Sequence, residues 1–383
     1  MDKKARAAVI VGPGNIEVQE FEYPQAEAGL IMKVEMSGIC GTDKHSFKGE
    51  AKQHAGTPAE KDIPYPIIAG HENVGVIEEI LGNHPDEIVD FDGQPLEVGD
   101  RITMSPDIVC GKCYWCRHNN GFPLCSNIRS LGTLVSCNEP PHLLGGWAEY
   151  MYLPPETHVF KVPEIEPRVA VLAELMAVAA NLDKAREFSN TYSEGFLFGD
   201  TVAVVGVGPM GLLHIARARM MGAGTIIAID KSKFRLALAG RFGADYLVNA
   251  DETAFDERLA LVLELTNGVG PSIVVECAGV PEALLESLEM VRRGGMVLEP
   301  GNFVDAGTVE INPHMHICAK NVRLIGLTGH PVTAYKSSME MMQRFQDVIP
   351  FHKAVTHQYS ISQAQEAMTK AMSPDSMKVV LTP

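Results

Sequence analysis

The segment spanning residues 201–230 leaves few possible folds for this chain. Its sequence, TVAVVGVGPMGLLHIARARMMGAGTIIAID, contains an apolar β-branched run, a glycine cluster, an amphipathic stretch and a second apolar run that ends in an acid. These patterns predict, in order, a strand, a tight turn, a helix and a second strand. Such a unit with three spaced glycines is typical of the first half of a dinucleotide-binding βαβ fold.

The glycine cluster indicates how a pyrophosphate would be bound. Gly206 permits the sharp turn, Gly208 lets phosphates approach the backbone, and Gly211 lets the helix lie close to the strand. The helix is predicted to begin near Pro209, followed by Met210, and its N-terminus offers unpaired N–H groups to the phosphates. We therefore expect these five residues to bind the coenzyme.

The acid at the end of the segment bears on the choice of coenzyme. Asp230 lies about 20 residues after Gly211, where this motif places its ribose-binding acid. Its carboxylate would accept hydrogen bonds from the ribose hydroxyls and repel a 2′-phosphate, which favours NAD over NADP. Arg235 follows and is expected at the adenosine end, packed on the adenine. Lys231 and Lys233 precede Arg235, and the alternative for these three basic residues is the solvated start of the next helix.

Length and charge narrow the class of protein. A chain of 383 residues predicts two domains. No run reaches the ~18 apolar residues of a membrane span, and the N-terminal apolar run is too short for a signal peptide, so we expect a cytoplasmic protein. A net charge of −16 argues against binding to nucleic acid or an anionic membrane. Eight cysteines without a secretion signal indicate metal or thiol chemistry rather than disulfides.

The pattern of apolar residues changes part-way along the chain. Residues 1 to about 175 are rich in Gly and Pro and contain short alternating runs at 31–36, 75–80 and 101–104, typical of a mainly-β domain. Further along, predicted strands at 225–229, 245–248, 271–276, 296–299 and 322–326 alternate with helical patterns such as 233–242 and 281–292. That alternation predicts a doubly wound parallel sheet, so the fold class is α/β with two domains. The last ~50 residues are expected to return to the first domain.

Four cysteines form a dense cluster on a predicted loop. Their spacing is C-x2-C-x2-C-x8-C, with Gly, Lys and Asn between them. Four thiolates at this density can surround one Zn²⁺ tetrahedrally and leave no position for a substrate, which predicts a structural zinc site. Disulfides and independent core cysteines are the alternatives, which the cytosolic context and the loop composition disfavour. The residues are Cys110, Cys113, Cys116 and Cys125.

A second set of metal-ligating side chains is more widely spaced. Cys40 and His45 lie in CGTDKH, and His71 and Glu72 follow about thirty residues later in GHE. Cys, His and Glu are zinc ligands, and a catalytic zinc uses three of them and one open position. Spacing alone leaves the alternatives open, namely a buried core cysteine, a surface histidine and a structural histidine.

At this point the chain resembles a known family. SGICGTDKH, AGHENVGVIEEI, EVGDRI, CGKCYWC, GGWAEY, VVGVGPMG and VVECAGVPEALLESLEMVRRGGMVLEPG, in this order, are similar to zinc-dependent medium-chain dehydrogenases of the alcohol dehydrogenase superfamily, in the sorbitol or polyol dehydrogenase-like branch. The resemblance implies a chaperonin-10-like (GroES-like), β-rich catalytic domain, residues 1–178 and 329–383. An NAD-binding Rossmann domain, residues 179–328, would interrupt it, with the active site in the cleft between them.

The resemblance also implies the ligands of a catalytic zinc. Cys40 and His71 match the first two ligands of the family. In simple alcohol dehydrogenases a cysteine stands where this chain has Val178, which cannot ligate. In the sorbitol dehydrogenase-like branch an acid, here Glu174, reaches the zinc directly or through its water, and Glu72 is the competing ligand. With the cysteine cluster, the resemblance implies two Zn²⁺ per chain, one catalytic and one structural.

Other positions match residues that serve the reaction. Thr42 corresponds to the residue that touches the substrate hydroxyl, His45 to the outer end of a proton relay, and Asp43 to a side chain that supports His71. Loops that line the nicotinamide are matched by a separate group, and Cys277 is expected to contact the coenzyme backbone. The residues matched to the loops around the nicotinamide are Gly301, Asn302, Leu327 and Thr328. Cys137 and Cys318 are interpreted as packing residues.

These matches imply a reaction but leave its substrate open. We expect reversible, NAD-dependent oxidation of a secondary alcohol to a ketone, with a polyol, cyclic polyol or sugar alcohol as substrate. A threonine dehydrogenase-like or sugar (aldose) dehydrogenase is the alternative in the same superfamily. A zinc-free quinone reductase-like relative and a purely structural protein are disfavoured by the two ligand sets. Three stretches either shape the substrate site or lie at the surface or a subunit contact, namely residues 48–66, 129–146 and 189–200. The family implies a homodimer or a homotetramer.

Overall fold

The computed structural model of the chain describes residues 3–50, 52–53, 55–57, 59–82, 88–119, 123–187 and 195–383. The chain divides into two units, which we call the β-rich unit and the αβ unit. The β-rich unit comprises Met1–Glu174, Pro331–Phe345 and Phe351–Pro383, and the αβ unit comprises Leu175–His330 and Gln346–Pro350. The functional domain boundaries given above stay a prediction. Among the helices of the described ranges, none has the length and apolar character needed to cross a membrane.

Twenty strands are described along the chain. In chain order, β1 to β20, they are Lys4–Gly12, Asn15–Glu22, Gly29–Gly38, Lys52–Gln53, Lys61–Asp62, Ile67–Ile68, Glu72–Leu81, Arg101–Met104, Asp107–Ile108, Arg129–Ser130, Tyr150–Leu153, Val159–Lys161, Thr201–Val205, Thr225–Asp230, Tyr246–Asn249, Ile273–Glu276, Met296–Glu299, Arg323–Gly326, Val355–Ser360 and Lys378–Thr382.

Eleven α-helices accompany the strands in the described ranges. In chain order, α1 to α11, they are Gly41–Lys48, Tyr114–Asn119, Pro167–Ala170, Ala173–Ala179, Lys184–Glu187, Pro209–Met220, Lys233–Phe242, Phe255–Leu265, Pro281–Met290, Ala334–Phe345 and Ala364–Ala371. Short 3₁₀ turns lie at Ala180–Asp183, Phe351–Ala354 and Ile361–Gln363, and a π-helical turn at Pro313–Cys318.

A seven-stranded sheet forms the centre of the β-rich unit. Its strand order is β12-β8-β7-β3-β20-β19, with β11 paired to β3. Leu30, Met32 and Val34 of β3 alternate along the strand, so they share one face, where they pack with Ile102 and Met104 of β8. The C-terminal strand β20 pairs with β3 next to the start of α1. This arrangement positions the first and last parts of the chain around one group of polar side chains, described below.

A six-stranded parallel sheet forms the centre of the αβ unit. Its order is β15-β14-β13-β16-β17-β18, and every pair is parallel. This is the order 3-2-1-4-5-6 of a doubly wound dinucleotide-binding sheet. Ala203, Ile227, Val274 and Val297 come from four neighbouring strands and lie in one apolar core with Leu288 of α9. The predicted α/β fold class is confirmed.

The strands expected from the sequence lie close to the observed ones. The expected strand 296–299 has the bounds of β17, and the expected strands 225–229 and 322–326 differ from β14 and β18 by one residue at one end. The expected strand 245–248 is shifted by one residue at both ends relative to β15. The pattern at 271–276 starts two residues before β16, because Pro271 and Ser272 precede the ladder. Residues 189–194, half of the insertion at 189–200, lie outside the described residues, as do residues 51, 54 and 58 of the 48–66 stretch.

Candidate active site and metal centres

The four clustered cysteines come together in the β-rich unit at the spacing of a metal site. Their sulfur atoms all lie within 4.8 Å of one another. Cys110 and Cys116 are 3.8 Å apart, Cys113 and Cys116 3.4 Å, and Cys113 and Cys125 4.0 Å, measured between Sγ atoms. A tetrahedron with Zn–S bonds of ~2.3 Å has sulfur atoms ~3.8 Å apart. The donor set therefore fits a tetrahedral zinc ion with no open position.

The cysteines are thiols suited to ligation rather than partners in disulfides. All eight cysteines of the chain are free. The backbone N–H of Lys112 is the main cause that lowers the pKa of Cys110, to about 6, so this sulfur is held as a thiolate near neutral pH. Burial raises the pKa of Cys116 to about 12. A bound cation would keep all four sulfurs deprotonated, because metal binding displaces thiol protons.

Cys40, His71 and Glu72 form the second group of ligating atoms. These atoms also lie within 4.8 Å of one another. Cys40 caps the N-terminus of α1, and His71 and Glu72 stand at the start of β7. Gly38 lies opposite Glu72 in the β3–β7 register, and a Cβ at Gly38 would come within 2.0 Å of a Glu72 carboxylate oxygen. Glycine at this position therefore makes room for the acid.

Asp43 supports this group from the first turn of α1. Its Oδ2 accepts the backbone N–H of Cys40 at 2.8 Å, and its Oδ1 lies 3.6 Å from Nδ1 of His71. Burial alone would lower the pKa of His71, but the neighbouring Cys40 sulfur and the Asp43 carboxylate outweigh it and raise this pKa well above its usual value. The site is thus strongly attractive to a cation. With Asp43 beside Nδ1, Nε2 of His71 is the nitrogen that suits a metal.

Helix α1 leads from this group towards the surface. The Thr42 hydroxyl lies 4.0 Å from the Cys40 sulfur. One turn further, Nδ1 of His45 lies 3.2 Å from a carboxylate oxygen of Glu50, and the His45 side chain is 33% exposed. The half-buried side chains of Cys40, Thr42 and His45 therefore follow one another from the N-cap of α1 along its first turns.

The glycine-rich turn in the αβ unit has the shape that a pyrophosphate requires. Gly206 has a φ of +85°, and a Cβ there would come 2.4 Å from the backbone N of Ala278. A Cβ at Gly211 would come 2.0 Å from the Gly206 carbonyl oxygen, so α6 can approach β13 only with glycine at this position. At Gly208, by contrast, the nearest atom to a Cβ is Nη1 of Arg235, 4.0 Å away. The space above Gly208 is therefore open, and a cation lies beside it.

Asp230 is fixed at the carboxyl end of β14. Its Oδ2 accepts the backbone N–H of Val207 at 2.7 Å, and its Oδ1 accepts that of Ser232 at 2.7 Å. Pro209 and Met210 begin α6, with Gly208 as the N-cap. The acid, the glycine turn and the helix N-terminus thus lie side by side, and they fit a dinucleotide.

The residues expected near the nicotinamide follow three adjacent strands of the same sheet. Cys277 comes directly after β16, Gly301 and Asn302 follow β17, and Leu327 and Thr328 follow β18. Since the carboxyl ends of parallel strands meet at one edge of the sheet, all five lie on the edge where doubly wound sheets bind their ligands.

Comparison with known proteins identifies the family. A model described as "Alcohol dehydrogenase GroES-like domain" matches residues 26–164, and one described as "Zinc-binding dehydrogenase" matches residues 209–344. A 5-exo-hydroxycamphor dehydrogenase of Pseudomonas putida is 31% identical, over 95% of this chain and 94% of that protein. The chain belongs to the zinc-dependent medium-chain alcohol dehydrogenases.

Other relatives of this dehydrogenase are named after different substrates. An L-threonine 3-dehydrogenase of Thermococcus kodakarensis is 30% identical, over 100% of this chain and 99% of that protein. A sorbitol dehydrogenase of Bacillus subtilis is 28% identical, over 99% and 97%. A crystal structure of an alcohol dehydrogenase from Thermotoga maritima is 31% identical, covers 100% of both chains and has a TM-score of 0.86. The family and fold expected from the sequence are therefore confirmed.

Lys378 of the dehydrogenase is a site residue that the sequence reasoning missed. Its Nζ lies 2.7 and 2.5 Å from the two carboxylate oxygens of Glu72 and also donates to the Ile39 carbonyl oxygen at 3.2 Å. Glu72 is 0% exposed and Lys378 1%. Burial alone would lower the pKa of Lys378, but Glu72 and the neighbouring Cys40 sulfur raise it. A lysine at the start of the apolar run VVL was the only signal in the sequence.

Glu174, the other candidate acid of the dehydrogenase, stands in the first turn of α4. It is buried, and its charge acts on Lys378 and on the buried hydroxyl of Tyr335. Its carboxylate is not part of the group formed by Cys40, His71 and Glu72. Of the two remaining cysteines, Cys137 is buried in the core as expected. The interpretation of Cys318 as a packing residue is wrong, because it is exposed at the end of the π-helical turn.

Proposed function

We propose that this dehydrogenase catalyses the reversible, NAD-dependent oxidation of a secondary alcohol to a ketone at a zinc ion held by Cys40 and His71. A polyol, cyclic polyol or sugar alcohol is the proposed substrate. The observation that carries the proposal is the convergence of ligand atoms of Cys40, His71 and Glu72 within 4.8 Å, beside the helix α1 that carries Thr42 and Asp43. The fit of the glycine turn and Asp230 to a dinucleotide supports the coenzyme.

Each side chain then has a role in the reaction. When bound, zinc supplies the Lewis acidity that lowers the pKa of an alcohol, as it lowers that of water from 15.7 to about 7, and the nicotinamide accepts the hydride. Asp43 holds the His71 ring in place beside its Nδ1. The Thr42 hydroxyl accepts the alcohol proton at Oγ1 and gives its own proton onward in the direction of His45, which passes one to solvent.

An acid completes the ligand set. Glu72 is favoured by its closeness to Cys40 and His71, and Lys378 holds its carboxylate in a fixed position. Glu174 remains the alternative, directly or through water. Either acid gives a ligand set of one thiolate, one imidazole and one carboxylate, and an open fourth position is what a catalytic zinc requires. The clustered cysteines are proposed to hold a second, structural zinc.

The experiment that tests this function is NAD reduction by the purified protein across a panel of alcohols. The panel contains vicinal diols, linear and cyclic polyols, sugars, L-threonine and simple alcohols. Turnover confined to polyols or cyclic polyols is the expected result. No turnover with any secondary alcohol, from protein that carries zinc, would contradict the proposal.

A threonine dehydrogenase-like activity is the second candidate, with aldose oxidation as a further member of the superfamily. It is favoured by the 30% identity to the L-threonine 3-dehydrogenase over the whole chain. The two candidates share the proposed zinc and coenzyme chemistry, so the substrate panel separates them. Activity mainly on L-threonine or on an aldose would keep the reaction and replace the substrate class. A homodimer or a homotetramer remains the expected assembly.

Replacement of His45 by alanine is expected to slow turnover without abolishing it. General acid–base groups typically contribute ~10²–10⁴-fold, and solvent can take over from an exposed group at the end of a relay. The measurement is kcat as a function of pH. His352→Ala, at an exposed histidine on a 3₁₀ turn, is the matched control and should behave as the wild type. Unchanged kinetics at every pH in His45→Ala would remove His45 from the mechanism.

Replacement of Asp230 by asparagine is expected to weaken NAD binding and reduce discrimination against NADP. The carboxylate accepts the N–H groups of Val207 and Ser232 and would accept ribose hydroxyls, and a hydrogen bond to a charged group contributes ~1.5–3 kcal/mol. We therefore expect NAD affinity to fall by ~10–100-fold and the repulsion of a 2′-phosphate to disappear. The measurement is the dissociation constants of NADH and NADPH.

The control for this change is Asp256→Asn, at an exposed acid in the first turn of α8. It removes the same charge from the αβ unit and should leave both dissociation constants unchanged. Equal NADH and NADPH affinities in the wild type would show that Asp230 does not select the coenzyme.

A further inference from the structure

Two glutamates lie side by side at the coenzyme edge of the parallel sheet. Glu276 ends β16 and Glu299 ends β17. The two strands are in register up to the pair Val275 and Leu298, so the glutamates are the next residues in line and project to the same face. Glu276 is 0% exposed. Neither acid has a role in the function proposed above.

Three of their four carboxylate oxygens have defined donors. Oε1 of Glu276 accepts the backbone N–H groups of Ala278 and Gly279 at 2.7 and 2.9 Å. Oε1 of Glu299 accepts the backbone N–H of Asn302 at 2.9 Å and its side-chain amide at 3.1 Å. The same amide reaches Oε2 of Glu276 at 3.5 Å. Oε2 of Glu299 is buried and has no hydrogen-bond partner among the described residues.

No described cation pairs with either acid. The other titratable groups nearby are Cys277 and, beyond it, His214, whose Nδ1 lies 3.9 Å from the Cys277 sulfur. Burial raises the pKa of the Cys277 thiol well above its usual value and lowers that of His214 to about 4, so both groups are neutral near pH 7. Two adjacent buried carboxyl groups cannot both ionise without a large cost. Burial and the neighbouring Glu299 raise the pKa of Glu276 to about 8.

The carboxyl groups of Glu276 and Glu299 lie beside the turns that are expected to line the nicotinamide. A Cβ at Gly301 would come 1.9 Å from Oε2 of Glu276, so only glycine lets this carboxyl occupy its place. Gly279 has a φ of +69°, and a Cβ there would come 2.7 Å from the Gly301 carbonyl oxygen. The turn after β16 and the turn after β17 are thus packed against each other around the carboxyl pair. Any force that separates the two acids must move Gly301 and Asn302.

We propose that Glu276 and Glu299 share one proton between their Oε2 atoms and in that state position Gly301 and Asn302 for the nicotinamide. The proposal rests on the coenzyme site of the proposed function. Both glutamates are positioning residues, because they act through the two turns and touch neither substrate nor coenzyme. Loss of the shared proton leaves two adjacent anions, whose repulsion separates the turns. Coenzyme binding therefore requires the protonated pair.

This coupling predicts how coenzyme affinity depends on pH. If only the protonated pair binds NADH, then above about pH 8 each binding event takes up one proton, and affinity falls by up to about tenfold per pH unit. Glu276→Gln removes this dependence. Its amide oxygen can still accept from Ala278 and Gly279, and its NH₂ donates permanently to Glu299. Glu299→Gln acts in the same way from the other side.

The experiment measures NADH dissociation constants by fluorescence from about pH 6 to about pH 9.5 in the wild type, Glu276→Gln and Glu299→Gln. The matched control is Glu282→Gln, at an exposed acid on α9. We expect affinity to fall with rising pH in the wild type and the control, and to stay flat in both carboxyl-pair variants. Infrared spectroscopy of the coenzyme-free protein at pH 7 should show a protonated-carboxyl band in the wild type that is absent from Glu276→Gln.

The outcomes separate this proposal from the function on which it rests. Parallel pH profiles in the wild type and in both carboxyl-pair variants, or no protonated-carboxyl band in the wild type, would overturn the shared proton while leaving NADH binding established. If the wild type binds neither NADH nor NADPH at pH 7, the coenzyme function fails and the positioning role fails with it. The infrared band then still decides whether the carboxyl pair holds a proton.

Discussion

Replacement of Cys40 by alanine is expected to abolish alcohol oxidation and to remove one of the two proposed zinc ions. The Cys40 sulfur is one of three ligand atoms within 4.8 Å, and no neighbouring thiol can replace it in this group. A Lewis-acid metal supplies several kcal/mol of transition-state stabilisation, so kcat should fall by at least about 10³-fold. The fold should persist, because Asp43 caps α1 through the backbone N–H of residue 40, which alanine retains. The measurements are kcat and zinc content per chain.

The control for this experiment is Cys318→Ala, at an exposed cysteine of the αβ unit. It should retain full activity and about two zinc ions per chain, whereas Cys40→Ala retains about one, held by the four clustered cysteines. Full zinc content in Cys40→Ala would show that Cys40 is not a ligand. Full activity at reduced zinc content would show that the metal does not serve the reaction.

Replacement of Lys378 by methionine is expected to lower the free energy of unfolding strongly. The ion pair of Lys378 with Glu72 is almost completely buried, and the change leaves the Glu72 carboxylate without its cation. Removal of one partner of a buried pair typically costs ~3–5 kcal/mol. The measurement is the free energy of unfolding from urea denaturation of zinc-free protein, so that loss of metal does not add to the effect.

Two further variants make the cause of this loss specific. Lys370→Met breaks a more exposed ion pair with Asp375, 2.8 Å long, and should cost only ~0–1 kcal/mol. Glu72→Gln combined with Lys378→Met removes the uncompensated anion and should recover part of the stability lost in Lys378→Met. If Lys378→Met costs no more than Lys370→Met, the buried pair does not stabilise the fold as described.

The features that sequence predicted well are those with a local pattern. A short continuous apolar run indicated the strand at 296–299, and glycine spacing indicated the turn at Gly206, because both depend on neighbours a few residues apart. The four clustered cysteines are also close in sequence, so their spacing alone indicated a metal. Cys40 and His71 are about thirty residues apart and could be related only through the resemblance to a family.

Pairs that form across the fold left no signal in the chain. Lys378 and Glu72 are 306 residues apart, and a lysine before an apolar run gives no indication of its partner. Glu276 and Glu299 each end an ordinary strand pattern, and only the register of β16 with β17 makes them neighbours. Cys318 shows the opposite error. From the sequence, Cys318 is interpreted as a packing residue, while the π-helical turn leaves it exposed.

The pairing of β3 with β20 has a consequence for synthesis on the ribosome. The carboxylate of Glu72 leaves the ribosome 306 residues before the ammonium group that neutralises it. Domains generally fold as units and in order from the N-terminus during translation. Here the αβ unit, which is continuous from Leu175 to His330, can fold while the β-rich unit still lacks its last strands. The nascent chain therefore holds an unpaired acid at its proposed metal site until translation has reached β20.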